Sequence, residues 1–211
     1  GAFTTGAAIP RVVLKDFKLA RIKLPPLPTQ RKIAAILSTY DDLIENNLRR
    51  IKILEEMAQN LYREWFVKFR FPDHQQTRFI DSSLGRIPQG WEVRTVENTF
   101  DILGGGTPSK AVPEYWDKGT INWYSPTDLT AARSMFMDRS GNQITELGLK
   151  KSSARLFPPF SVMMTSRATL GVISINTTEA CTNQGFITCI PNENFPLYTL
   201  YYWLRENVEY F

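Results

Sequence analysis

The residues of this chain that could do chemistry sit in a few short runs. Gly104-Gly105-Gly106-Thr107-Pro108-Ser109-Lys110 has the composition of a phosphate-cradling loop: glycines let backbone N–H groups approach an anion, and a lysine neutralises it. The order is wrong for a nucleotide P-loop, which needs Gly-Lys followed by Ser or Thr at a helix start. Pro108 and Pro113 block such a helix here. His74 is the single histidine, and the two cysteines, Cys181 and Cys189, are eight apart. That is too few ligands for a zinc site, and nothing forms a nucleophile–base–acid set. The carboxylates are scattered without the clustering that metal-dependent strand cleavage needs. No metal and no cofactor is expected, and the cysteines read as two buried thiols rather than a disulfide.

Phe157-Pro158-Pro159-Phe160 is superficially similar to the tetrad of amino-group DNA methyltransferases. That tetrad begins with Asn or Asp, which holds the target amino nitrogen, and Phe157 cannot do so. Without a Gly-rich cofactor loop as well, these residues do not argue for a methyltransferase active site. The net charge is +4, but residues 84–211 carry eleven basic against twelve acidic groups. Bulk charge therefore does not argue for a polyanionic partner. Locally, Lys150, Lys151, Arg155 and Arg167 fall in a stretch, 150–178, without an acidic residue. It suits either phosphate contact or a solvated face.

These runs must be held by elements, and the strongest periodicity lies at 29–69. Leu37, Ile44, Ile51, Ala58 and Trp65 repeat every seven residues, with Tyr40, Asn47, Leu54 and Leu61 as the partner row. Ile36, Leu43, Leu48 and Met57 widen the stripe. A heptad this long predicts one helix of about 60 Å, N-capped by Thr29, that pairs with another helix. Asn47, polar within the seam, either fixes register or faces solvent. Before it, Phe17, Leu19, Ile22 and Leu24 suggest a strand-like end, stopped by the polyproline-type Pro25-Pro26-Leu27-Pro28. Residues 71–90 read as a polar linker. From Trp91 onward, apolar runs at 100–103, 121–124, 160–164, 171–175 and 186–190 alternate with turn residues, which predicts a strand-rich domain. Leu200, Tyr201, Leu204 and Val208 share a face of a closing helix. The fold class is α+β: a long coiled-coil-forming helix attached to a strand-rich domain with peripheral helices. No run is long and apolar enough for a membrane span, and the N-terminus lacks a signal-peptide pattern.

Read in succession, these pieces resemble the type I restriction–modification DNA specificity subunits. Leu24-Pro25-Pro26-Leu27-Pro28-Thr29-Gln30-Arg31-Lys32-Ile33 looks like the start of their central region. Leu61-Tyr62-Arg63-Glu64-Trp65-Phe66-Val67-Lys68-Phe69 is similar to the end of its long helix. Gly85-Arg86-Ile87-Pro88-Gln89-Gly90-Trp91 looks like the opening of a target recognition domain. Within that domain follow Gly105-Gly106-Thr107-Pro108-Ser109, Ile121-Asn122-Trp123-Tyr124-Ser125-Pro126-Thr127-Asp128-Leu129 and Asn183-Gln184-Gly185-Phe186. Ser166-Arg167-Ala168-Thr169-Leu170-Gly171 differs from the family's usual Ser-Arg-Gly-Thr-Ile-Gly at Ala168. The matches run in order from about residue 9 to 208.

The resemblance implies a non-catalytic, cytoplasmic reader of one half of a split DNA site. Its readers would be held apart by a paired helix that docks methyltransferase subunits and, through the complex, the restriction subunit. It divides the chain into 1–24, the closing segment of a recognition domain; 25–70, the spacer helix; 71–90, a linker; and 91–211, a recognition domain lacking its own closing segment. Gly6–Leu24 is expected to pack on 91–211 of the same or a neighbouring chain, and two copies could join through the helix. The expected contacts with double-stranded DNA are Thr107, Ser109, Lys110, Tyr124, Ser125, Thr127, Lys150, Lys151, Ser166, Arg167, Asn183 and Gln184. Trp123 is expected in the core, Tyr124 either there or on a base edge, and Asn183 and Gln184 either on an adenine or fixing a turn. The expected helix-pairing residues are Leu37, Tyr40, Ile44, Asn47, Ile51, Leu54, Ala58, Leu61 and Trp65. The alternative is a coiled-coil adaptor whose strand-rich domain binds protein rather than DNA.

Overall fold

The heptad residues do form one long helix. The structure, a computed structural model, describes residues 4–5 and 11–211, and the chain divides after Met57 into two units. In the first, β1 (Thr4–Thr5) pairs antiparallel with β2 (Arg11–Val12), a single turn α1 (Leu14–Phe17) follows, and α2 (Leu27–Tyr62) begins. No strand forms over 13–26, and Phe17, Leu19, Ile22 and Leu24 are exposed. Their alternation finds no neighbouring strand to complete a ladder among the described residues, so the strand-like expectation fails. The expected packing of Gly6–Leu24 rests in part on residues 6–10, which lie outside the described residues.

The helix starts earlier than expected. The N–H groups of Thr29 and Gln30 both donate to the Pro26 carbonyl, at 2.9 and 3.1 Å, and Gln30 Nε2 donates to Pro25 O at 2.7 Å. Thr29 is therefore inside the first turn and not its cap. Pro28 is tolerated there because a first-turn N–H has no intrahelical acceptor. Leu37, Tyr40, Ile44, Asn47, Ile51, Leu54 and Leu61 are all exposed along α2. Glu45–Arg49 and Lys52–Glu56 line the helix as exposed i,i+4 pairs, each worth at most a few tenths of a kcal/mol.

The second unit opens with the end of α2. Arg63–Val67 is a wide π-type turn in which Lys68 N donates to Arg63 O at 2.8 Å. Residues 71–90 are not a bare linker: Phe79–Ser82 (β3) and Gly85–Pro88 (β4) form a hairpin with Pro88 fully buried. The segment has no period because its aromatics close a cluster instead. The rings of Phe66, Phe69 and Phe71 each lie within 5.4–6.1 Å of Trp91.

Beyond it come β5 (Asp101–Gly104), β6 (Ile121–Tyr124), α3 (Pro126–Ala132), β7 (Phe136–Met137), β8 (Asn142–Ile144) and α4 (Glu146–Lys150). Then follow β9 (Val162–Thr165), β10 (Ile173–Asn176), β11 (Ala180–Thr182), β12 (Phe186–Ile190) and α5 (Leu197–Asn207). One sheet has the order β5-β12-β9-β10-β7, the other β11-β6-β8. Alternation along the central strands splits the core into layers. Val162, Met164, Ile175 and Cys189 face α5 (Leu200, Tyr201, Leu204) and the end of α2 (Ala58, Tyr62). Met163 and Phe186 face the other way, onto Tyr124, Leu129, Met137, Phe157 and Ala180. Ile121, Trp123, Ile144, Ala154 and Cys181 form a third layer. Val162, Ile175 and Leu200 keep no exposed surface, so each contributes roughly 1.5–3 kcal/mol of burial. Ala58, expected in the pairing seam, is spent on this core.

Candidate nucleic-acid interface

Strand register brings the sequence motifs together. β6 and β11 run parallel and end opposite each other at Tyr124 and Thr182. β5 and β9 lie antiparallel to β12 on either side of it, so Gly104 and Thr165 end beside Ile187 and Phe186. Four strands thus finish at one rim, where the Asn183–Gly185 turn leads from β11 into β12. The loop that leaves each of them carries one of the motifs: 105–110 after β5, 125–127 after β6, 166–167 after β9 and 183–184 after β11.

Hydrogen bonds knit these loops around the turn. Gly106 N donates to Thr182 O at 2.8 Å, Asn183 N to Tyr124 O at 2.9 Å, and Ser166 N to Gly185 O at 2.8 Å. Thr107 Oγ1 donates to Gln184 Oε1 at 2.6 Å. Trp123 Nε1 straps the glycine loop from below through Gly106 O at 2.8 Å. The glycines are needed at the contact. A Cβ on Gly105 would stand 1.9 Å from Asn183 O, and one on Gly106 2.3 Å from Ser153 Oγ. Through Ser153 the 150–155 segment also abuts the rim.

The expected contact residues divide by what their side chains already do. Tyr124 is a correction: it is fully buried, and its hydroxyl donates to Met137 O at 3.1 Å, so it faces the core and not a base edge. Burial, chiefly, and the nearby Asp138 and Asp128 push its phenol up to about 12. Ser125 is occupied by Asp128, whose Oδ2 accepts from Ser125 N at 2.7 Å and Ser125 Oγ at 2.6 Å. Asn183 fixes the turn, its Oδ1 accepting from Gly185 N at 2.8 Å. Thr127, Ser109, Lys110, Gln184 and Arg167 are exposed on the rim loops, with Ser166 and Thr107 half-buried beneath them. Lys150 and Lys151, exposed at the end of α4, follow on through the 150–155 segment. Among the described residues, Lys110, Lys150, Lys151, Arg155 and Arg167 make no ion pair; the ion pairs all lie elsewhere. Two of these uncommitted cations, Lys110 and Arg167, sit on the rim loops themselves.

One organising residue escaped the sequence reading. Asp128 closes the capping box of α3 onto the N-cap Ser125 and also accepts from Gly141 N at 2.7 Å, tying the 125–128 loop to the turn before β8. The Ser-x-x-Asp spacing at 125–128, a capping signature, was the available signal. The opposite ends of β6 and β11 carry a shallow basin lined by Asn122, Asp138, Arg139 and Glu179. Its mixed charge does not suit a phosphate backbone. The described residues contain no group of three or more metal-ligating side chains, and none of their helices is long and apolar enough to cross a membrane. Cys181 and Cys189 are free, buried thiols in different core layers, and burial pushes each up to about 12.

Comparison with known proteins settles the family. The model of the type I restriction modification DNA specificity domain matches residues 2–56 and 88–211. The chain belongs to this family. Among curated specificity-domain relatives, the type I restriction enzyme MjaIX specificity subunit of Methanocaldococcus jannaschii is 36% identical over 141 residues, 67% of this chain and 32% of that protein. The HindI specificity subunit of Haemophilus influenzae is 21% identical across 97% of this chain and 56% of that protein. The type I restriction–modification S subunit from M. genitalium shares the fold, with a TM-score of 0.53 at 16% identity, over 99% of this chain and 50% of that one. The chain thus spans about a third to just over half of the length of these family members. The α+β class, with a long helix and a strand-rich unit, agrees with that shared fold.

Proposed function

We propose that this chain reads one half of a bipartite double-stranded DNA target as part of a type I restriction–modification complex in the cytoplasm, and catalyses nothing itself. The observation that carries the reading is the meeting of four motif-bearing loops on one rim, with Lys110 and Arg167 on two of those loops left without ion-pair partners. In this reading residues 91–211 are the recognition domain, 25–70 the spacer helix, and 1–24 the closing segment of a recognition domain. The lysines meet phosphates and set salt dependence, while Thr127, Ser109, Gln184 and Arg167 reach into the groove.

The exposed seam Leu37, Tyr40, Ile44, Asn47, Ile51, Leu54 and Leu61 supports pairing of α2 with a second long helix, in a longer subunit or a second copy. A rod of 36 residues, about 54 Å, is long enough to hold two readers one DNA turn apart. Methyltransferase subunits would dock on that rod, and the restriction subunit would join through them.

The test is co-purification with type I methyltransferase subunits, followed by footprinting of the assembled complex over a range of salt. A protected split site whose affinity falls steeply with salt is expected. Binding to a protein partner without any salt-dependent DNA protection would overturn the proposal in favour of a coiled-coil adaptor.

A further inference from the structure

We infer that the rim presents Gln184 and Arg167 to DNA as a donor-only pair that selects guanine, and that Thr107 is the positioning residue that makes Gln184 donor-only. The inference rests on the half-site reading proposed above and adds to it a base identity.

A free glutamine amide carries both an acceptor and a donor. That combination engages adenine, whose major-groove edge offers the N6 donor beside the N7 acceptor. Gln184 is not free in this sense. Its Oε1 accepts from Thr107 Oγ1 at 2.6 Å, so the oxygen is turned toward the glycine loop. Among the described residues, Nε2 has no hydrogen-bond partner, and Gln184 is exposed. The amide therefore offers donors outward.

Arg167 adds more donors at the same turn. Ser166 N is bonded to Gly185 O, and a Cβ built on Gly185 would lie 3.9 Å from Arg167 Cβ, so the arginine side chain starts beside the residue that follows Gln184. It is exposed and makes no ion pair or hydrogen bond among the described residues. An edge that satisfies donors from both side chains must carry two acceptors. In the major groove, where the Gln184 and Arg167 donors are taken to act, these are O6 and N7 of guanine, or, off the bases, the oxygens of a phosphate. The pair favours guanine because half of it is neutral. An uncharged amide gains less at phosphate than a lysine, and Lys110, Lys150 and Lys151 already supply cations for the backbone. Gly105 and Gly106 hold the Thr107 loop against the turn, so the oxygen is held before DNA arrives and costs little ordering entropy on binding.

The test is selection from a randomised duplex pool by the full chain, alone and assembled with a type I methyltransferase subunit. The parent, Thr107→Val, Gln184→Glu and Arg167→Ala are compared, with near-UV circular dichroism confirming that each is folded. The parent should enrich guanine at one half-site position. Thr107→Val frees the amide oxygen, so adenine should gain about tenfold on guanine at that position, roughly one good hydrogen bond. Gln184→Glu keeps the acceptor for Thr107 but removes the outward donors, so the guanine preference should fall by a similar factor. If Thr107→Val does not fold, Gln184→Glu decides alone. A parent that selects a site without guanine there, or variants that weaken binding equally for all sequences, would overturn the inference and assign both side chains to phosphate. A parent that enriches no sequence in either form would instead sink the half-site reading.

Discussion

Gly104, Gly105 and Gly106 are chemically identical, but the structure assigns each a different tolerance for a methyl group, and this gives a sharp test of the rim. A Cβ on Gly104 meets nothing within 4 Å, whereas one on Gly105 would lie 1.9 Å from Asn183 O and 2.5 Å from Thr182 O. Both contacts are to backbone and cannot rotate away. A relaxed C···O contact is about 3.3 Å, so the loop must withdraw by roughly 1.4 Å in Gly105→Ala. That movement breaks or lengthens Gly106 N to Thr182 O, Thr107 to Gln184 and Trp123 Nε1 to Gly106 O. Overpacking of this kind costs about 1–3 kcal/mol, and three compromised hydrogen bonds add about 1 kcal/mol each at most. A loss of about 3–5 kcal/mol is expected, moving a urea midpoint by roughly 2 M for a slope near 2 kcal/mol/M. Tryptophan emission is a suitable probe, because Trp123 is the residue that straps the loop. Gly104→Ala, the control, should stay within about 0.5 kcal/mol of the parent or gain slightly. If Gly105→Ala matched Gly104→Ala in stability and kept full DNA binding, the tight approach of the glycine loop to the 183–185 turn would be wrong.

Three further outcomes follow from the same geometry. Ala168 has φ of +60°, a left-handed conformation that costs a non-glycine residue about 1–2 kcal/mol, offset for glycine by its greater unfolded entropy. Ala168→Gly should therefore stabilise by about 0.5 kcal/mol in chemical denaturation, and a clear loss would contradict the turn. Tyr124→Phe removes a buried hydroxyl that bonds Met137 O and should cost about 1 kcal/mol while leaving DNA sequence preference unchanged; a changed preference in site selection would return Tyr124 to the interface. Cys181 and Cys189 should resist a thiol reagent at pH 8 until the chain unfolds, since burial holds each thiol protonated up to about 12. The unfolded chain ionises first, so the stability from these thiols is complete below the ordinary thiol pKa and falls as pH rises from there toward 12, which denaturant titrations across that range would read out.

Local pattern was enough for the elements. The sevenfold repeat from Leu37 to Leu61 reports a helix because its spacing is a property of one segment, and α2 spans it. The apolar runs at 100–103, 121–124, 160–164, 171–175 and 186–190 each coincide within two or three residues with β5, β6, β9, β10 and β12. The helical face of Leu200, Tyr201 and Leu204 likewise packs into the core, and Trp123 lies where its apolar surroundings suggested. The motif loops were legible as loops, from their glycines, prolines and hydroxyl residues.

Tertiary structure alone decided what those loops do together. The meeting of the 105–110, 125–127, 166–167 and 183–184 segments depends on β11 lying parallel to β6 and on β12 lying between β5 and β9. No periodicity within a strand encodes that order, because pairing is chosen by the complementarity of faces distant in sequence. The same long-range packing put Tyr124 in the core and took Ala58 out of the heptad seam. It also gathered Phe69, Phe71, Phe79 and Trp91 into a cluster where composition suggested only a linker. A sequence prescribes which face of each element is apolar; which neighbour covers that face is settled only when all the faces compete for one another in three dimensions.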